Sequence, residues 1–235
     1  MRSQPAAAPT PTVMPVDREN WGRQLNYCNF VNAYYQFNDI RELGDVESIL
    51  LVGPGQGLEP AVLKWRGFRV TTLDIDDTFS PDVVGSIHKM EMFEDSSFDA
   101  VIVSHVLEHL AVPYLMPSLA EIARVGRYAV VYLPVAGRHI QARFNPNIKG
   151  IDLSLIVDAY NYFHQPDGVS PNYCAGMHFW EVGMRGFRVR DLKKRFGVNF
   201  EILKNYRNRD WNPSYNFVLR SKSKGRVGDR TQSSG

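Results

Sequence analysis

The sequence predicts a Rossmann-like, doubly wound α/β fold: a mostly parallel sheet with an antiparallel final hairpin and an inserted cap. Three observations predict it. Short apolar runs alternate with helical segments, the pattern of parallel strands joined by crossover helices. The first of these runs ends at closely spaced glycines. The last two runs are separated by the polar stretch 208–213, which is too short for a crossover helix and therefore indicates a hairpin.

The predicted elements follow the hydrophobic pattern along the chain. A first helix is predicted over residues 17–40, with Asp17 as its N-cap. Its aromatic residues are expected to cover the core, with the alternative that one or two of them line a ligand pocket: Trp21, Tyr27, Phe30, Tyr34, Tyr35 and Phe37. The predicted strands are 48–52, 69–73, 82–84, 98–104, 128–133, 200–203 and 215–219, and further helices are predicted over 58–65, 118–124 and 188–196.

The length of 235 residues suits one α/β domain with an insertion. We predict a flexible N-terminal tail over 1–16, where four prolines interrupt any helix, a single domain over 17–220, and a disordered tail over 221–235. The cap is expected over 137–187, where the strand–helix pattern lapses apart from one predicted helix at 152–162. A segment of that length inside a compact domain is usually functional.

The charge pattern excludes some classes of protein. The formal net charge is +2, and much of it lies in the C-terminal tail. The near-neutral body argues against a surface that coats nucleic acid. No apolar run approaches the roughly 20 residues needed to span a bilayer. We therefore expect a cytoplasmic protein with no membrane or nucleic-acid partner, and the oligomeric state is left open.

The segment Gly53-Pro54-Gly55-Gln56-Gly57 follows a predicted buried strand and precedes a helix. Glycines at this spacing let the backbone turn sharply and approach a ligand that a Cβ atom would block. A dinucleotide-binding fingerprint needs a small residue where this chain has Leu58, and the Gly-Lys-Ser/Thr sequence of a P-loop does not occur.

The G-x-G-x-G spacing resembles motif I of the class I S-adenosylmethionine-dependent methyltransferases. Further stretches resemble the same family in the same order: Val-Thr-Thr-Leu-Asp at 70–74, Val-Val-Gly-Ser-Ile at 83–87, Ser-His-Val-Leu-Glu-His-Leu at 104–110 and Ala-Glu-Ile-Ala-Arg-Val at 120–125. The third of these is similar to the type 11 branch. The resemblance covers about residues 46–134.

This resemblance implies an enzyme whose cofactor is S-adenosyl-L-methionine. The acid that ends the second strand, Asp74, is implied to bind the ribose hydroxyls. The full set of implied cofactor-binding residues is Gly53, Pro54, Gly55, Gly57, Asp74, Ile75, Ser86, Ile87, Ser104 and His105. Two positions depart from the family pattern: Leu51 stands where an acid usually orders the methionine end, and Ser86 stands where Asp often contacts adenine.

Two histidines are candidate catalytic residues. His105 is expected near the cofactor sulfonium, and His178 in the cap has an unperturbed pKa suited to deprotonating a hydroxyl. The alternative is that His178 is a surface donor, while Trp180 anchors the cap to the core. His105-Val106-Leu107-Glu108-His109 also fits the H-x-x-E-H zinc pattern, but a zinc site needs a further ligand from elsewhere. We expect no metal, with Glu108 and His109 bracing the loop.

The aromatic and mixed-polar cap favours a small-molecule or glycan acceptor, methylated at a hydroxyl. The alternatives are a protein or nucleic-acid methyltransferase, which the basic segment 188–196 would favour, and a cofactor-binding subunit with weak or no catalysis, which Leu51 and Ser86 permit. We expect the charges of the basic segment to lie in water and acceptor specificity to reside in residues 137–187.

Overall fold

A computed structural model of the chain describes residues 26–144, 153–159, 166–172, 176–211 and 213–222. The predicted N-terminal tail, most of the predicted C-terminal tail and parts of the insertion lie outside the described residues. Within these ranges, no helix has both the length and the apolar character needed to cross a membrane.

A seven-stranded sheet organises the fold. Its strands are β1 (Ser48–Val52), β2 (Arg69–Asp74), β3 (Val83–Val84), β4 (Phe98–Ser104), β5 (Gly126–Pro134), β8 (Phe200–Arg207) and β9 (Ser214–Ser221). The spatial order is β3-β2-β1-β4-β5-β9-β8. The first five strands run parallel, and β9 pairs antiparallel with both β5 and β8. The predicted fold class is confirmed, and the predicted bounds of β1 and β4 match the structure.

Four helices accompany this sheet in the described ranges. They are α1 (Tyr27–Leu43), α2 (Leu58–Trp65), α3 (Val112–Val125) and α4 (Val189–Asn199). Two 3₁₀ turns, Asp77–Phe79 and Leu107–His109, follow β2 and β4. Helix α4 is amphipathic as predicted, because Leu192 and Phe196 are buried while Lys193 and Lys194 are exposed.

The sheet is buried on both faces, as the continuous apolar runs of its parallel strands predict. Along β1, Leu50 and Val52 join one hydrophobic cluster with residues of α3 and α4, such as Leu119. The intervening Ile49 and Leu51 join a second cluster with Ile40 of α1 and Leu63 of α2. Successive side chains of β1 therefore anchor helices on opposite faces of the sheet.

Helix α1 differs from its prediction. Its N-cap is Asn26, whose side chain accepts a hydrogen bond from the backbone of Asn29, and not Asp17, which lies outside the described residues. The prediction that its aromatic residues cover the core is wrong for Tyr27, Phe30 and Tyr34, which are exposed. These three lie three or four residues apart, so they share one outward face of the helix.

The buried carboxylate of Asp39 fastens α1 to the sheet. It accepts hydrogen bonds from the hydroxyls of Tyr132 on β5, at 2.7 Å, and Tyr206 on β8, at 2.6 Å. The ammonium of Lys204 lies 3.0 Å from its other oxygen. These partners satisfy a carboxylate that would otherwise be costly to bury.

The predicted helix over 152–162 is wrong. Residues Leu153–Ala159 form strand β7, which pairs antiparallel with β6 (Arg138–Phe144) as a separate two-stranded sheet, and residues 160–162 lie outside the described ranges. The alternation of Leu153, Leu155 and Val157 has the period of a strand, whereas a short apolar segment of this kind does not by itself distinguish strand from helix.

The last part of the insertion, residues 176–187, packs into the core. The indole of Trp180 is fully buried and stacks on Phe187 at 4.8 Å between ring centroids. The backbone N–H of Phe179 donates to the carbonyl of Glu108 at 2.8 Å, and that of Val182 donates to Pro134 at 2.9 Å. The expectation that Trp180 anchors the insertion is confirmed, and its burial leaves it no surface for an acceptor.

We expect Trp180→Ala to lower the free energy of unfolding by about 3–5 kcal/mol, because it leaves a large cavity beside Phe187. Urea denaturation followed by circular dichroism measures this loss. Trp65 is the matched control, since its side chain is 79% exposed and Trp180 is 0% exposed. Trp65→Ala should change stability by less than about 0.5 kcal/mol. Equal losses in the two variants would contradict the packing described here.

Candidate functional site

The carboxyl ends of the parallel strands meet at one edge of the sheet, where ligands bind in open α/β folds. Strands β1 and β4 are neighbours there, although β2 and β3 intervene between them in the chain. The chain therefore leaves β1 and β4 in opposite directions: α2, which follows β1, packs on one face of the sheet, and α3, which follows β4, packs on the other. The predicted residues Gly53, Asp74 and Ser104 follow or end three of these strands and come together at this edge.

The glycine loop after β1 needs glycine for two physical reasons. Gly53, Gly55 and Gly57 have φ angles of 72°, 49° and 83°, in the left-handed region that other residues rarely adopt. A Cβ atom on Gly53 would lie 2.6 Å from Cγ2 of Val106, so the loop after β4 can approach only a glycine. Gly57 is the N-cap of α2, whose first-turn N–H groups are available to a ligand.

Asp74 ends β2 at this edge. Its carboxylate is half-buried, and burial raises the pKa of Asp74 above its ordinary value. One carboxylate oxygen accepts the backbone N–H of Asp76 at 2.9 Å. Asp76 has a different role, because its own carboxylate accepts the N–H of Thr78 at 2.9 Å and caps the 3₁₀ turn. The next residue, Ile75, is exposed beside Asp74.

Ser86 and Ile87 follow β3. The Ser86 hydroxyl lies 2.7 Å from Nδ1 of His88, whose ring contacts Tyr114 of α3 at 4.7 Å, and Ile87 is buried. Sequence analysis did not single out His88, because its contact with the Ser86 hydroxyl is visible only in the folded structure.

Arg124 of α3 fixes the position of this segment. It donates to the carbonyls of Met90 and Phe93, each at 2.9 Å, and it pairs with Glu121. The segment that carries Ser86 and Ile87 is therefore held on α3.

His105 directly follows Ser104, the last residue of β4, and has a φ of 54°. This left-handed conformation costs a histidine roughly 1–2 kcal/mol, and such strain clusters at functional positions. Its backbone N–H donates to Tyr132 at 3.0 Å, and its ring lies 4.9 Å from that of Trp211 in the β8–β9 connection. The Nε2 atom of His105 is buried and has no hydrogen-bond partner in the described part of the chain.

Glu108 is fully buried beside His105. One of its carboxylate oxygens lies 3.5 Å from Nδ1 of His105 and 4.0 Å from Nε2 of His109. Burial acts to raise the pKa of Glu108, but the surrounding histidines, His178 among them, outweigh burial and lower it. The carboxylate is therefore held in its charged form at the edge of the sheet.

The second predicted catalytic residue, His178, reaches the same carboxylate from the insertion. His178 is buried, its Nδ1 lies 2.7 Å from Glu181, and its ring is 4.8 Å from that of His109. The alternative expectation that His178 is a surface donor is wrong, because the core packing of the insertion buries it. His105 and His178 thus flank Glu108 from two different segments of the chain.

Glu59 also lies near this edge and was not among the residues predicted from the sequence. It lies in the first turn of α2, directly after the glycine loop, and burial raises the pKa of its carboxyl while nearby His105 acts to lower it. An acidic residue in the first turn of a helix is common for capping reasons alone, so its sequence position carried little functional signal.

Comparison with known proteins agrees with this geometry. Residues 50–129 match the family model described as "Methyltransferase domain". No curated protein matches the chain.

Several solved structures share the fold. The PH0226 protein from Pyrococcus horikoshii OT3 is 14% identical, with a TM-score of 0.55, covering 86% of this chain and 93% of its own. The Burkholderia thailandensis 1,6-didemethyltoxoflavin N1-methyltransferase, solved with that substrate and S-adenosylhomocysteine, is 14% identical with a TM-score of 0.51, covering 91% and 93%. The glycopeptide N-methyltransferase MtfA, complexed with S-adenosylhomocysteine, is 11% identical with a TM-score of 0.51, covering 81% and 89%.

The sheet order, the reversed final hairpin and the glycine loop at the β1/β4 edge define a Rossmann-like α/β domain with a ligand crevice. The match over residues 50–129 then identifies a methyltransferase domain similar to type 11. The family match and the fold shared with solved S-adenosylmethionine-dependent methyltransferases support such an enzyme, as the sequence resemblance implied.

Proposed function

We propose that this enzyme transfers the methyl group of S-adenosylmethionine to a hydroxyl of a small-molecule or sugar acceptor. The observation that carries the proposal is His105, whose unpartnered Nε2 is buried at the ligand edge while its Nδ1 faces the Glu108 carboxylate. Two structural neighbours, which act on 1,6-didemethyltoxoflavin and on a glycopeptide, support an acceptor of this kind, although both are N-methyltransferases.

The residues at the edge fit this cofactor chemically. The proposed cofactor-binding residues are those of the sequence resemblance: Gly53, Pro54, Gly55, Gly57, Asp74, Ile75, Ser86, Ile87, Ser104 and His105. The glycine loop lets the backbone approach a ligand, and the half-buried Asp74 carboxylate suits two ribose hydroxyls. When bound, S-adenosylmethionine supplies an electrophilic methyl group on a positively charged sulfur.

Glu59 takes the place of the carboxylate that this chain lacks at Leu51. The Leu51 side chain is buried among Ile40, Leu63 and their neighbours on the α1 and α2 face of the sheet, which favours a hydrophobic residue there. Glu59 lies at the end of the same glycine loop, and the burial that raises its pKa would be offset by a cationic partner. The ammonium of the cofactor's methionine end is that partner in this proposal.

His105 is the proposed proton acceptor for the substrate hydroxyl. A neutral imidazole accepts a proton at Nε2 while its Nδ1–H points to a carboxylate, which fixes the tautomer and stabilises the imidazolium that forms. Glu108, 3.5 Å from Nδ1, is placed for that supporting role. Alignment of acceptor and methyl group supplies the rest, since positioning alone can account for much of the rate of such a transfer.

Acceptor specificity is assigned to the insertion over residues 137–187. Strand β6 starts at Arg138, shortly after β5 ends at Pro134, so the β6–β7 hairpin leaves the sheet at the ligand edge. Its exposed apolar residues are Ile140, Phe144, Leu153, Leu155 and Val157. An apolar surface at this edge suits an organic acceptor better than a polyanion.

Asp74→Ala should weaken S-adenosylmethionine binding by roughly 1.5–3 kcal/mol, the range for lost hydrogen bonds to a charged group. Isothermal titration calorimetry measures the affinity. Asp76→Ala is the control and should have a much smaller effect, because its carboxylate caps the 3₁₀ turn instead. Equal losses from the two substitutions would show that the ribose acid is misassigned.

Glu59→Gln should weaken cofactor binding by a similar roughly 1.5–3 kcal/mol at neutral pH. The cofactor ammonium favours the ionised carboxylate, whereas the free enzyme has a Glu59 pKa above its ordinary value, with His105 and Cys28 as the titratable neighbours. Affinity should therefore rise as the pH rises through that pKa, and Glu59→Gln should remove this rise.

The control for Glu59 is Glu47→Gln, at an exposed carboxylate before β1 that pairs with Arg69. It should leave both the affinity and its pH dependence unchanged. A pH profile that is the same in wild type and Glu59→Gln would rule out the assigned role.

The acceptor class is tested by the rate of S-adenosylhomocysteine formation with hydroxyl-bearing small molecules, sugars and oligonucleotides. Turnover should occur with a compound of the first two classes and depend little on salt, and reversing Lys193 and Lys194 to Glu should leave it unchanged. A steep fall with salt, together with loss of activity on charge reversal, would indicate a polyanionic acceptor. Cofactor binding without turnover on any acceptor would favour the non-catalytic alternative.

A further inference from the structure

Three side chains beside the ligand edge lie in an arrangement that metal ions favour. Glu108, His109 and His178 each offer a ligating atom, and these atoms lie within 4.8 Å of one another. Glu108 and His109 belong to the 3₁₀ turn after β4, and His178 comes from the insertion. The hydrogen bond from the Phe179 N–H to the Glu108 carbonyl, at 2.8 Å, joins the two segments next to the cluster.

Both histidines are oriented by a second partner. Nδ1 of His178 lies 2.7 Å from Glu181, and Nδ1 of His109 lies 3.1 Å from the carbonyl oxygen of Met177. Each ring therefore keeps Nε2 for another partner, and Nε2 of His109 is the atom that faces Glu108. Metal-bound histidines almost always have their other ring nitrogen held by a carboxylate or a carbonyl in this way.

The Glu108 carboxylate is only weakly compensated by its neighbours. It is fully buried, its nearest charge partner is Nδ1 of His105 at 3.5 Å, and within the described ranges no well-formed hydrogen bond satisfies either oxygen. A buried, charged carboxylate is costly unless hydrogen bonds or a cation compensate it.

We propose that Glu108, His109 and His178 bind a divalent transition-metal ion, of which Zn²⁺ best fits two imidazoles and one carboxylate. The H-x-x-E-H motif contributes Glu108 and His109, and His178 from elsewhere in the chain takes the place of its first histidine. The proposal therefore replaces the sequence-based expectation of no metal. His105 is not one of the ligands.

The three ligating atoms, which lie within 4.8 Å of one another, must move closer together to hold the ion. His109 Nε2 and Glu108 lie 4.0 Å apart. Ligands of a tetrahedral zinc, at about 2.0–2.1 Å from the metal, lie about 3.3 Å from one another. The half-exposed His109 side chain leaves a fourth position to water. The ion would fasten residues 176–187 to the loop after β4.

The test is zinc binding to the full chain, dialysed against a chelator and titrated without cofactor or acceptor. We expect one Zn²⁺ per chain by calorimetry and elemental analysis, and a higher melting temperature with zinc. His109→Ala should weaken zinc affinity at least tenfold. Because the His109 side chain is partly exposed, we expect this variant to fold. Glu181→Gln, which alters only the positioning of His178, should weaken it about 10–100-fold. Co²⁺ bound to the wild type should show visible d–d absorption that His109→Ala abolishes.

The matched control is His139→Ala, which removes a histidine of strand β6 outside the cluster. It should leave zinc affinity unchanged. The proposal is overturned if the wild type binds no stoichiometric zinc, or if His109→Ala binds it as tightly as the wild type. It is also overturned if His139→Ala loses as much affinity as His109→Ala. Because the titration contains no cofactor, its outcome is independent of the proposed methyl transfer.

Discussion

The buried carboxylate of Glu108 is the constraint on which the functional edge of this protein depends. A charged group with no exposed surface, in the 3₁₀ turn after β4, must be compensated by its neighbours. His105 approaches it from the end of β4, His109 from the same turn and His178 from the insertion. The need to compensate one charge thus brings the strand edge and a distant segment of the chain together.

The same edge is close-packed because the glycine loop has no side chain at Gly53. Val106 occupies the space where a Cβ atom would lie, and the chain then turns through the left-handed conformation of His105. That strain is held by the sheet bond from His105 to Tyr132 and by the ring of Trp211. The glycine loop, His105 and Glu108 are therefore packed against one another. A substitution in any of them should alter the conformation of the other two.

The sequence predicted most accurately what depends on local pattern. Strand β1 and helix α2 match their predicted bounds because glycines separate a short apolar run from a helical one. Strand β7 was mistaken for a helix, since a short apolar segment is ambiguous and its partner β6 was not recognised. Glu59 and Trp211 were missed because their proposed importance lies in their proximity to His105, which is far away in the chain and which no local spacing reveals.

The contacts that attach the β6–β7 hairpin to the rest of the protein determine which face of the hairpin stays exposed. A two-stranded hairpin alone is only marginally stable in water. This one is held through its polar face, where Arg143 pairs with Asp210 at 2.8 Å and Gln141 donates to Arg209 at 2.6 Å. Side chains alternate between the two faces of a strand, so attachment of the polar face turns Ile140 and its apolar neighbours outward. The exposed apolar face is thus a consequence of how the hairpin is fastened, and its position beside the ligand edge is the basis for proposing an organic acceptor.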